Sequence, residues 1–153
     1  ISGITAKQDE AKITIRDIPD KPGISAKLFN ALGKYKIYVN MIVQSTGHDN
    51  RASISFTVKK EDLKKTIELC TELNKEIGGS AVEAKEDIAI VSAVGVGMLS
   101  SYGVAGKMFG VLSEHNINIE MISTSEIGIS CVIDSMYAEL AAKVLHKAFV
   151  EAV

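Results

Sequence analysis

The sequence repeats itself, and the repeat limits what it can fold into. At an offset of 80 residues Gly23 aligns with Gly103, Lys27 with Lys107, Phe29 with Phe109 and Leu32 with Leu112. The same offset pairs Ile37 with Ile117, Met41 with Met121, Ile42 with Ile122 and Ser45 with Ser125. It falls to 75 at Ile54/Ile129 and Ser55/Ser130, so the second copy has the shorter hairpin turn. A glycine, a helix face and the next strand that recur in register describe two copies of one supersecondary unit. A chain of 153 residues has room for two small domains of that kind.

Hydrophobic periodicity gives the unit its content. Residues 1–7 read as a short strand anchored by Ile4, and 8–10 as a polar connection. Residues 12–18 alternate apolar and polar, the pattern of a half-buried strand. Residues 23–35 form a helix with Ile24, Leu28, Ala31, Leu32 and Tyr35 on one face. A β-branched strand over 37–45, a turn over 46–50 and a strand over 52–58 follow. The helix over 61–77 carries the stripe Leu63, Ile67, Cys70, Leu73 and Ile77, and Gly78-Gly79 ends it. A strand over 82–85 completes β-α-β-β-α-β, the ferredoxin-like order.

The order then restarts. The second copy reads as a strand over 87–94, a turn over 95–102, a helix over 103–115, strands over 117–125 and 129–134, and a helix over 136–150. Val104, Met108, Val111 and Leu112 share one face of the first of these helices; the second carries Leu140, Val144, Leu145 and Ala148, with Ser135 as its N-cap. The second copy lacks a closing strand, and the first has a spare strand before it. The expected fold is α+β: two ferredoxin-like modules with antiparallel sheets and helices on one face. The first module, 12–86, is inserted into the second, 87–153 plus the strand at 1–7. The pairing direction of that strand stays open.

The copies differ where a strand meets a helix. The first has Asp20-Lys21-Pro22-Gly23; the second has Ser100-Ser101-Tyr102-Gly103, without the carboxylate or the proline. Two prolines fix φ at 19 and 22 and make this a turn, and Gly23 permits positive φ or a close backbone approach. The amides of Ile24 and Ser25 open the helix, where an anion is favoured. A carboxylate beside bare amides suits a zwitterion, with Asp20 taking the ammonium and the amides the carboxylate. The plainer reading is a β-to-α turn in which Asp20 helps to cap the helix.

Other chemistry is thin. A net charge of −2 offers no general attraction to nucleic acid or anionic lipid. The strands 38–43 and 53–58 lack the aromatic pair on which RNA-recognition modules stack bases. Gly95-Val96-Gly97 lacks the third glycine of a dinucleotide fingerprint. Cys70 and Cys131 are too few and too far apart for a metal motif, and His48, His115 and His146 are scattered. Both cysteines read as small core residues in a reducing cytoplasm. No apolar run approaches the ~20 residues of a membrane span, and no signal-peptide pattern is present. No Ser-His-Asp or Cys-His spacing stands out. The first residue is Ile1 rather than Met, which points to an excised or processed piece.

Asp20-Lys21-Pro22-Gly23-Ile24 followed by a helix resembles the ligand turn of ACT domains, which sense small metabolites. The resemblance narrows to the paired ACT domains at the C-terminus of aspartokinase (aspartate kinase). It rests on Ile18-Pro19-Asp20-Lys21-Pro22-Gly23, Val39-Asn40-Met41-Ile42-Val43-Gln44 and Phe56-Thr57-Val58 in the first copy. In the second it rests on Val94-Gly95-Val96-Gly97-Met98 and on the run from Asn118 to Glu126. That family threads its first ACT domain into its second. The resemblance implies a regulatory region that binds threonine, lysine or both and inhibits the phosphorylation of aspartate. It also implies a homodimer of ACT modules joined to a kinase domain or catalytic subunit. ATP and magnesium would belong to that kinase part, so no cofactor and no catalytic residue are expected here. Effector contacts are expected from Asp20, Pro22, Gly23, Ile24, Ser25 and Gln44. The second module of a facing chain would add Asn118 and Ile119, with Thr124 and Ser125 nearby. The alternatives are an ACT pair from another amino-acid biosynthetic enzyme and a dimerisation module without a ligand.

Overall fold

The computed structural model describes residues 3–95 and 102–151. The turn read over 95–102, with Gly97, Met98, Ser100 and Ser101, lies almost wholly outside them, as do Ile1 and Ser2. Two units emerge, Glu10–Glu86 and the pairing of Ile1–Asp9 with Asp87–Val153.

The first unit consists of β2 (Glu10–Pro19), α1 (Ile24–Lys34), β3 (Val39–Thr46), β4 (Arg51–Lys59), α2 (Leu63–Ile77) and β5 (Ala81–Lys85). Its antiparallel sheet has the order β3-β4-β2-β5, the ferredoxin-like arrangement. Ala11, Ile13 and Ile15 point to the helices and meet Leu28, Leu32, Phe56, Leu63 and Cys70 in one core. Phe29 packs edge-on against Phe56 with centroids 5.5 Å apart. Each fully buried Ile, Leu or Phe contributes about 1.5–3 kcal/mol relative to exposure. Ile18 follows Ile15 by three residues, which breaks the strand period of two. A bulge resolves the conflict: the register shifts between Ile15 and Ile18, and Asp17 takes φ 52.

The second unit holds β1 (Gly3–Lys7), β6 (Ile88–Val94), α3 (Val104–Glu114), β7 (Met121–Ser125), β8 (Gly128–Asp134) and α4 (Ala138–His146). Its sheet order is β1-β6-β8-β7, so β1 occupies the place that β5 holds in the first unit. β1 pairs antiparallel with β6, from Gly3↔Val94 to Lys7↔Ile90. Ala89, Val91, Met108, Leu112, Cys131, Ala141 and Leu145 form the core, and Ile4 packs on it. A π-helical segment, Lys147–Glu151, extends α4.

Several details differ from the sequence reading, each for a physical reason. Glu10 belongs to β2 rather than to a polar connection; it is buried, and its Oε2 accepts from Asn40 Nδ2 at 2.8 Å. Ile37 and Ile117 do not start strands. Both close the end of the preceding helix, their N–H groups donating to Leu32 and Leu112 carbonyls at 3.0 and 2.9 Å. Lys36 and Asn116 before them take φ 60 and 55, completing Schellman caps whose apolar contact is the buried isoleucine. Tyr35 is the C-cap of α1 and is 44% exposed instead of facing the core. The cap before α4 is Asp134, which accepts from the Met136 amide at 3.0 Å, and Ser135 begins a 3-10 turn.

Candidate functional site

The strand-to-helix turn of the first unit is built from its backbone outward. Pro19 ends β2 beyond the reach of β5, whose pairing stops at Arg16, so its missing N–H costs no bond to β5. Asp20 donates its N–H to the Asn50 carbonyl at 2.7 Å, fastening the turn to the β3–β4 hairpin. That hairpin turns through residues 47–50, with Asp49 and Asn50 both at φ 58, and the Arg51 N–H closes it on the His48 carbonyl at 3.2 Å. Gly23 then takes φ 95 and serves as the N-cap of α1. A side chain there would meet no atom within 4 Å, so glycine is required by conformation and not by space.

The start of α1 is open. No side chain caps it, and the first helical bond runs from Lys27 N–H to Gly23 C=O at 3.0 Å. The amides of Ile24, Ser25 and Ala26 lie before that bond and outside the helical ladder. The capping role considered for Asp20 is therefore absent. Among the described residues its exposed carboxylate accepts no hydrogen bond and joins no ion pair. Ser25 Oγ donates to Gln44 Oε1 at 2.9 Å, bringing the second helical residue together with the end of β3. Asp20, Pro22, Gly23, Ile24, Ser25 and Gln44 thus share one end of the first unit. The arrangement offers an anionic acceptor, a set of bare donors and a polar amide, the complement of a zwitterion with a polar side chain.

The second unit repeats the frame without the chemistry. Gly103 takes φ 82 ahead of α3, and Lys107 N–H donates to its carbonyl at 3.0 Å, again with no side-chain cap. Ala105 and Thr124 occupy the positions of Ser25 and Gln44. Asn118 and Ile119 lie on the segment between α3 and β7 and line a cleft of ≈ 420 Å³ with Phe109 and Ser113. Thr124 and Ser125 are on β7 and line a different cleft of ≈ 240 Å³, beside Ser92 and Ser130. The two pairs of candidates are therefore separate features of that unit.

Sequence reasoning passed over Asn50 and Arg51. Arg51 Nη1 donates to the Asp17 carbonyl at 3.1 Å and the Gly78 carbonyl at 3.3 Å, tying the bulge and the end of α2 to β4. The signal was the dipeptide Asp49-Asn50, the residue types that tolerate φ above zero.

Nothing else in the described residues resembles an active centre. No group of three or more His, Cys, Asp or Glu stands where it could hold a metal. Burial pushes both cysteine thiols up to about 12, so neither is a ready nucleophile. Phe56 is the one aromatic on a described strand and faces the core, leaving no stacking platform for bases. No described helix is long and apolar enough to cross a membrane.

Comparison with known proteins agrees with this frame. The ACT-domain family matches residues 13–72 and 91–149, one match in each unit. The aspartate kinase Ask_LysC of Stutzerimonas stutzeri (strain A1501) is 46% identical over 149 residues, covering 97% of this chain and 36% of that protein. An aspartokinase of Thermus thermophilus is 44% identical over 151 residues, covering 97% of this chain and 37% of that protein. The chain spans little more than a third of the length of these relatives. Among solved structures, one of aspartokinase alpha and beta subunits matches with a TM-score of 0.91 and 44% identity, covering 97% of this chain and 98% of that one. The ligand-free regulatory subunit of aspartate kinase from Thermus thermophilus matches with a TM-score of 0.91 and 42% identity over the same shares. Two ferredoxin-like units, the glycine-led turn in each and these likenesses over nearly the whole chain lead to one conclusion: the chain belongs to the ACT-domain family, as a tandem ACT pair of the aspartokinase regulatory type.

Proposed function

We propose that this ACT pair is the amino-acid sensor of an aspartokinase, binding threonine, lysine or both and thereby inhibiting aspartate phosphorylation in the cytoplasm. The observation that carries the proposal is the open start of α1, with the unpartnered Asp20 carboxylate before it and Ser25 held to Gln44 at 2.9 Å. Asp20 accepts the effector's ammonium. The amides of Gly23, Ile24 and Ser25 hold its carboxylate, where the helix dipole adds to the donors. Gln44 reaches its side chain, and Pro22 stiffens the turn that presents these groups.

The site is completed by a second copy. β3 and β7 are the outer strands of their sheets, and each carries an exposed isoleucine at the same repeat position: Ile42 is 50% and Ile122 42% exposed. An unpaired edge with an apolar residue invites strand pairing. In the homodimer the first module of one chain meets the second module of its partner. Asn118 and Ile119 then supply backbone contacts to the effector, with Thr124 and Ser125 nearby. Effector binding favours one arrangement of the dimer, and differential affinity for two arrangements biases the kinase part. ATP and magnesium belong to that part, and the ACT pair itself needs no cofactor. The experiment is titration of threonine and lysine into the chain and into Asp20→Ala, with melting curves alongside. Unchanged binding in the variant would remove Asp20 from the site.

A further inference from the structure

Each module lays two helices across its sheet, and the grooves between them differ at equivalent positions. α2 and α4 align at an offset of 75, Leu63 with Ala138 and Cys70 with Leu145. In the first module Lys65 covers the groove: its Nζ lies 5.3 Å from the Tyr35 ring centroid and donates to the Tyr35 carbonyl at 3.4 Å. Lys27 and Glu76 add a bridge between α1 and α2 at 3.1 Å. In the second module Leu140 replaces Lys65 and His115 replaces Tyr35. The His115 imidazole turns back to the Val111 carbonyl at 2.9 Å, and Leu140 is left 38% exposed. An open cleft of ≈ 500 Å³ results, with Val111, Leu140, Val144 and Ala148 as its apolar part. The charge on its rim is also reversed. Lys143 and Lys147 stand where the first module has Glu68 and Glu72, and Glu114 is the one acid in the lining.

We propose that this α3–α4 groove docks the catalytic part of the aspartokinase, through a helical segment with an apolar stripe flanked by Asp or Glu. The proposal rests on the regulatory reading above. Leu140, Val144 and Ala148 follow one another at four-residue intervals, an uncovered stripe roughly 12 Å long. That length accepts two turns of an amphipathic helix laid in the groove. The paired lysines favour an acidic flank and disfavour a basic one. The chain covers only 36% of a relative such as Ask_LysC, so the larger part of such a protein lies outside the ACT pair and must receive its signal across some surface. The first module's groove is closed by its own side chains, which leaves the second module's groove for that contact.

The test is hydrogen exchange on the complete aspartokinase and on this chain alone, each without effector. Slower exchange at residues 111–115 and 140–148 in the complete protein is expected, with residues 31–35 and 65–73 unchanged. The double variant Lys143→Glu/Lys147→Glu should abolish the difference. Equal exchange in both proteins would overturn the proposal, and so would extra protection that survives the charge reversal. The readout does not depend on effector binding. If calorimetry finds that the chain binds neither threonine nor lysine while the groove is still protected, the effector reading falls and the docking surface stands.

Discussion

At the scale of single residues, the shared geometry of the two turns separates frame from chemistry. Gly23 and Gly103 share positive φ and an uncapped helix start, whereas Asp20, Ser25 and Gln44 occur in the first module alone. Gln44→Ala should weaken effector binding by roughly tenfold, the loss of a polar contact worth about 1–1.5 kcal/mol, with the melting temperature nearly unchanged because the side chain is exposed. Calorimetry beside a melting curve checks both parts. The caps give a cleaner stability prediction. Asp134→Ala should cost about 1 kcal/mol in chemical unfolding because its carboxylate holds the Met136 amide, while Ser135→Ala should cost little. The cysteines predict a null result with content. With both thiols raised to about 12 by burial, Cys70 and Cys131 should resist a thiol reagent at pH 8 and react only in denaturant. Labelling of the folded protein within minutes would contradict their burial.

At the scale of elements, the helices were legible because apolar residues at helical spacing must be buried together. Strand ends were less so, since a buried isoleucine serves equally as a strand's first residue and as the apolar contact of a helix cap. Ile37 and Ile117 are caps, and only the positive φ of Lys36 and Asn116 before them tells the difference. The bulge at Asp17 was hidden because Ile13, Ile15 and Ile18 look like one alternating run until the spacing of the last pair is counted. Asp134 and Ser135 are both good caps, and one residue of helix phase decides between them. In the turn, Gly23 and Asp20 were visible from residue type, and the ferredoxin-like order brings Gln44 beside Ser25. The hold of Asn50 on Asp20 depends on hairpin geometry that no local pattern encodes. The spare first strand has its own consequence. β1 covers the edge of β6 and places Ile4 on the second core. Deleting residues 1–7 should therefore cost hydrogen-exchange protection in β6, β8 and α4 before β2 or β4 is affected. Equal loss in both modules, or loss confined to the first, would show that β1 does not support the sheet it joins.

At the scale of the whole molecule, the account depends on assembly and on ligand. Exposed Ile42 and Ile122 on the outer strands predict a dimer, and Ile42→Lys/Ile122→Lys should give a monomer by light scattering at tens of micromolar. A wild-type monomer with and without threonine and lysine would remove the shared site. A charge-assisted contact contributes about 1.5–3 kcal/mol, so the central claim has a sharp consequence for Asp20. The most direct measurement is calorimetric titration of threonine and lysine into the wild-type chain and into Asp20→Ala. The account predicts that wild type binds at least one of the two, that Asp20→Ala binds it roughly ten- to a hundredfold more weakly, and that the two proteins melt together because no helix cap is lost. Wild-type affinity in Asp20→Ala, or no binding of either amino acid to the wild-type chain, would contradict it.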